Sequence, residues 1–153
     1  MPLSTLVRVQ RAFACTADTL YDAWLDPAVV RRFLFATPPT GEVIRCDIEP
    51  GVGGKLVVVD RRPIGGGAGP IEIEHCGRFL QLDRPRRIAF AFSVPQFGGP
   101  ETTVVIDIEP QGDGCNLTLR HDLGTAEPAK EMVDGAEKGW STILANLEAA
   151  LQP

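Results

Sequence analysis

The sequence predicts an α+β fold, in which a curved antiparallel sheet of six or seven strands wraps around one long C-terminal helix and two short helices follow the first strand. Three observations predict it. Of 153 residues, 16 are Gly and 13 are Pro, too many breakers for a helix bundle, and 14 of the glycines fall between Gly41 and Gly124. Within that stretch, short runs rich in Val, Ile and Phe alternate with turn clusters, the pattern of an antiparallel meander. Beyond it, apolar residues recur at intervals of three and four, the period of a helix with one buried face.

Leu6 to Phe13 opens with Val7 and Val9 on one side and Arg8 and Gln10 on the other, a strand with one wet face. Thr16 then stands at the N-cap of a helix over Ala17 to Leu25, with Leu20, Ala23 and Trp24 at helical spacing. Pro27 closes it and opens a second short helix, Ala28 to Leu34, whose apolar side holds Val29, Val30, Phe33 and Leu34. Strands follow at Glu42 to Ile48, Lys55 to Asp60, Pro70 to Leu82, Arg87 to Val94, Thr102 to Glu109 and Cys115 to Asp122. Turn clusters at Pro50 to Gly54, Pro63 to Gly69, Asp83 to Arg86, Pro95 to Pro100 and Pro110 to Gly114 separate them. Alternation picks out the dry face, with Ile71 and Ile73, then Ile88, Phe90 and Phe92, then Val104, Ile106 and Ile108, then Leu117 and Leu119. To cover that face, a helix from Glu127-Pro128 to Leu151 offers Met132, Val133, Ala136, Trp140, Ile143, Leu144, Leu147 and Leu151. At ~1.5 Å per residue it would span roughly 35 Å.

The totals bound the function. One hundred and fifty-three residues suit a single domain over 1–153. A net charge of −5 gives no basic surplus to offset phosphates, which argues against nucleic acid and anionic membrane surfaces as partners. Met1 to Val9 does not read as a signal peptide and no stretch approaches a membrane span, so membrane insertion is not expected and the cytoplasm is the expected location. Cys15, Cys46, Cys76 and Cys115 form no CxxC pair and read as buried free thiols. There is no GxSxG elbow, HExxH or calcium loop. The Gly65 to Gly69 segment lacks the Gly-Lys-Ser/Thr ending of a phosphate loop and reads as a hairpin turn.

Several motifs in order carry a resemblance. Phe13-Ala14-Cys15-Thr16-Ala17 leads to Ala23-Trp24-Leu25-Asp26-Pro27, and Asp47 is followed by Gly53-Gly54. Gly77-Arg78-Phe79-Leu80-Gln81-Leu82 leads to Pro85-Arg86-Arg87-Ile88-Ala89-Phe90, then come Leu117-Thr118-Leu119-Arg120-His121 and Gly139-Trp140. Together they resemble the family named for the activator of the heat-shock protein 90 ATPase, within the START-like (SRPBCC) superfamily. The resemblance implies the helix-grip, or Bet v-like, fold and a cavity between the long helix and the sheet. Phe33-Leu34 stands where the family often has a Trp-Trp pair, and the Gly65 to Gly69 loop is unusual, so the pocket mouth is expected to differ.

Such folds are similar to lipid carriers, hormone receptors, polyketide cyclases and co-chaperones, so function must be argued from the site. Phe79, Phe90, Phe92, Trp140 and Leu144 belong to the apolar face, and Phe33 to the short helix that would cap one end. They read either as lining for a flat or aliphatic ligand or simply as core. His75 and His121 continue the inward series, as ligand contacts, as proton donors or as hydrogen-bonded structural residues. A metal would need a third ligand such as Asp47 or Glu74, and no ligand spacing supports one; no cofactor is implied. Gly139, inside the helix and beside Trp140, leaves room for a ligand or for close strand approach.

The reading favoured is a module that binds a small hydrophobic or aromatic molecule. The alternatives are a cyclase- or hydratase-type enzyme with a pocket histidine as acid or base, and a partner of a heat-shock protein 90 chaperone. For the namesake the resemblance implies an additional N-terminal domain, for which 153 residues leave no room. It also leaves room for a homodimer formed through an exposed strand or loop.

Overall fold

A computed structural model describes residues 5–37, 40–63, 69–98, 101–124 and 132–152. Among these residues seven strands form one antiparallel sheet: β1 (Leu6–Phe13), β2 (Glu42–Ile48), β3 (Lys55–Pro63), β4 (Pro70–Asp83), β5 (Arg87–Ser93), β6 (Thr102–Gln111) and β7 (Gly114–Asp122). Their order across the sheet is β1-β7-β6-β5-β4-β3-β2, so β1 and β2 are its edges. Two short helices, α1 (Ala17–Ala23) and α2 (Pro27–Phe33), join β1 to β2, and the long helix α3 (Val133–Leu151) closes the chain. This is the predicted helix-grip arrangement, with seven strands. The expected start of the last helix at Glu127-Pro128 and most of the Gly65 to Gly69 turn lie outside the described residues.

Local chemistry explains the short helices. The Thr16 hydroxyl accepts the backbone N–H of Thr19 at 3.2 Å, and the Asp26 carboxylate accepts that of Ala28 at 3.0 Å. Each side chain satisfies a donor that the first turn leaves orphaned, and Pro27 fills the first helical position without wasting an N–H.

Inward parity carries the core. Ile88, Phe90, Val104, Ile106, Ile108, Leu117 and Leu119 of the central strands are all at most 2 % exposed, facing Trp140, Ile143, Leu144 and Leu147 of α3. Burying each large side chain contributes about 1.5–3 kcal/mol. The outer face is less uniformly wet than alternation predicts, because Ala89 and Ala91 are buried too. Both lie on the central strand β5, and their register neighbours Gln81, Val105, Arg78 and Thr103 are all longer. The four cysteines are free as expected, but only Cys115 is buried and the other three are half-buried.

The departure that matters for function is in β3. It continues past Asp60 to Pro63, pairing Arg61 with Glu72, Arg62 with Ile71 and Pro63 with Pro70. Leu56, Val58, Asp60 and Arg62 therefore share one face of the strand, the inner one.

Candidate functional site

At the α2 end of the sheet the core turns aromatic and polar. The Phe35 ring lies flat on the His75 ring, with centroids 3.7 Å apart and planes within 6°. Phe92 is 5.6 Å and Trp140 6.2 Å from the same ring, and His121 stands edge-on to both Phe92 and Trp140. Four elements meet here: β4 brings His75, β5 Phe92, β7 His121 and α3 Trp140. Phe35 comes from the loop after α2.

The hydrogen bonds fix the His121 imidazole as neutral. Trp140 Nε1–H donates to His121 Nδ1 at 3.1 Å, so His121 carries its proton on Nε2 and donates to Thr102 Oγ1 at 2.8 Å. Thr102 in turn donates to the carbonyl of Phe92 at 3.3 Å. Burial drives the His121 pKa down to about 4, with Asp122 pulling weakly the other way. His75 donates from Nδ1 to the Val58 carbonyl at 3.1 Å, and its Nε2, 3.9 Å from an Asp60 oxygen, makes no hydrogen bond among the described residues. Burial lowers its pKa as well, against the upward pull of Asp60 and the Val58 carbonyl.

Asp60 is fully buried, and a buried carboxylate needs charged or hydrogen-bonded partners. Arg62 supplies a two-point contact, Nε to Oδ1 at 3.0 Å and Nη2 to Oδ2 at 2.7 Å. The backbone N–H of Ala36 adds a third bond at 3.0 Å. That bond ties the residue after Phe35 to the sheet, while Asn146 of α3 donates to the Thr37 hydroxyl at 3.2 Å. Pinned from both sides, Phe35 sits at φ 64°, a left-handed conformation that a bulky L-residue adopts only under constraint.

Above this nest lies an open cleft of about 440 Å³, lined by Phe35, Ala36, Thr40, Arg62, Lys138, Gly139, Thr142 and Ile143. A Cβ added at Gly139 would meet nothing within 4 Å, so this glycine does leave space on the cleft side of α3.

Of the eight residues the sequence singles out, the structure brings His75, Phe92, His121 and Trp140 together around Phe35. Phe33 is fully buried edge-on to Trp24, Phe79 and Phe90 pack edge-on in the core, and Leu144 is buried under α3. None of the eight is among the residues lining the cleft. Sequence reasoning missed Phe35, Asp60, Arg62 and Thr102. Asp60 had a signal, since it continues the inward parity of Leu56 and Val58; the position of Phe35 in an irregular loop gave none. Among the described residues no group of three or more His, Cys, Asp or Glu is placed to hold a metal, and no helix is long and apolar enough to cross a membrane.

Solved structures share the fold. A protein from Rhodobacter sphaeroides is 25 % identical, with a TM-score of 0.81 over 97 % of this chain and 95 % of its own. One from Nitrosomonas europaea is 19 % identical, with a TM-score of 0.78 over 95 % of this chain and 93 % of its own. A Staphylococcus aureus protein described as of unknown function is 12 % identical, with a TM-score of 0.77 over 97 % and 94 %. Among curated proteins, none matches the chain. The family described as Activator of Hsp90 ATPase homolog 1-like protein matches residues 14–152, nearly the whole length, and the chain belongs to that family.

Proposed function

We propose that this protein binds a small hydrophobic or aromatic molecule between the sheet and α3, in the place that the Phe35 ring occupies. The observation that carries the reading is Phe35 itself, stacked on His75 with its backbone at φ 64° on the floor of the cleft. The left-handed conformation costs about 1–2 kcal/mol, a backbone strain that the bonds of Ala36 and Thr37 hold in place. Turned outward, it would join the cleft to the nest and bare His75, Phe92, His121 and Trp140, with Phe90, Phe79, Phe33 and Leu144 as the wall behind. A flat ligand would recover the stacking on His75 that the ring gives up. A cleft of about 440 Å³ is already within the range of small-molecule sites.

Titration with the neutral fluorophore N-phenylnaphthylamine tests this. Saturable binding of one probe per chain is expected, with quenching of tryptophan emission that is weaker in Trp140→Phe, which keeps only Trp24. Failure of both the wild type and Phe35→Ala to bind the probe would overturn the reading.

A second reading, acid–base catalysis of the cyclase or hydratase kind, has one specific support. The Nε2 atom of His75 makes no hydrogen bond among the described residues, whereas both nitrogens of His121 are committed. Loss of turnover in His75→Asn with substrate binding retained would establish it.

A further inference from the structure

We infer that the ligand of this cleft is a monoanionic amphiphile, an aromatic or aliphatic body bearing one carboxylate or sulfonate group held between Arg62 and Lys138. The inference rests on the binding reading above and adds the chemical class. The chain has a net charge of −5, yet the described residues lining the cleft include two cations and no acid. Asp134 and Glu137 of the same helix are not among them.

Arg62 is built into place. Its Nε and Nη2 are held by the fully buried Asp60, while the side chain itself stays 37 % exposed. Among the described residues this leaves Nη1 and one Nη2 hydrogen for an incoming acceptor. A guanidinium fixed through one edge loses little freedom when it binds a second carboxylate through another. Lys138 faces it across the cleft from α3, exposed and with no ion pair among the described residues. Thr142, one helical turn further on the same face, adds a hydroxyl.

Charge accounting sets the valence. Among the described residues Asp60 cancels one of the two cations and leaves one positive charge, which a single anionic head would neutralise. The other walls, Phe35, Ala36 and Ile143, are apolar and lead down to the aromatic nest. Head at Arg62 and Lys138, body toward Phe35 is thus the orientation that buries apolar surface without burying an unpaired charge.

The test uses two probes that differ by one charged group, N-phenylnaphthylamine and anilinonaphthalenesulfonate. Lys138→Glu is the informative variant, because substituting Arg62 would strand the buried Asp60. Lys138→Glu is expected to weaken the sulfonate probe about ten-fold, and added salt to weaken it in the wild type, while the neutral probe changes less than about two-fold. Wild-type binding of both probes with no selective effect of the variant would overturn the anion site and leave the apolar pocket standing. No binding of either probe would remove the pocket and the anion site together.

Discussion

At the scale of single residues, His121 and Phe35 answer different questions. His121 sits in a closed chain of donors from Trp140 to the Phe92 carbonyl, every polar atom of which is used. Protonating Nδ1 would break the bond from Trp140, in agreement with a pKa near 4 in the folded state. Above pH 6.5, its ordinary value, folded and unfolded chains both hold it neutral. As pH falls from about 6.5 to about 4, the unfolded chain takes up a proton that the folded state refuses. Stability therefore drops across that window, by about 3 kcal/mol in all, and His75, shifted the same way, adds to the loss. Urea midpoints measured between pH 7 and 4 are expected to fall less steeply for His121→Gln than for the wild type; parallel curves would contradict the assignment. Phe35 is tested by a pair of variants. Phe35→Gly loses the ring but adopts φ 64° freely, so it is expected to be about 1 kcal/mol more stable than Phe35→Ala, by chemical denaturation. Equal stability of the two would mean that the loop relaxes and stores no strain.

Among the elements, β3 and α3 decide where the site lies. Alternation alone located the inner face of every central strand and both histidines, because a period of two leaves no freedom once one face is buried. It stopped short in β3, where a charged residue at an inward position reads as the end of a strand. The physical reason is a second charge two residues on: Arg62 compensates Asp60, so the strand can continue with a buried carboxylate. Phe35 was illegible for another reason, since its position depends on anchors from β3 and α3, 24 and 109 residues away from the loop positions they hold. In α3 the sequence did mark Gly139 as an oddity, and the open space beside it gives a clean test. Gly139→Ala is expected to raise stability by about 0.5–1 kcal/mol, or roughly 1–4 °C in Tm, since the new methyl meets nothing within 4 Å. A fall in Tm would show that the position is packed. The same methyl enters the cleft, so probe affinity is expected to fall modestly as stability rises.

For the molecule as a whole, the sheet and α3 enclose two layers of different character. The deeper layer is close-packed and apolar, and Phe33, Phe79, Phe90 and Leu144 belong to it. The layer beneath the cleft is aromatic, hydrogen-bonded and capped by one strained ring, with Arg62 and Lys138 at the rim. Fold and core were readable from periodicity, whereas the capping ring and its charged rim emerge only when distant loops are brought together. Ligand binding beneath the cleft requires that Phe35 occupy a ligand's place. A crystal structure of the complex with N-phenylnaphthylamine tests that most directly. It is predicted to show the probe stacked on His75 between Phe92 and Trp140, with the Phe35 ring turned out toward the cleft; a probe resting elsewhere, with Phe35 still stacked on His75, would contradict it.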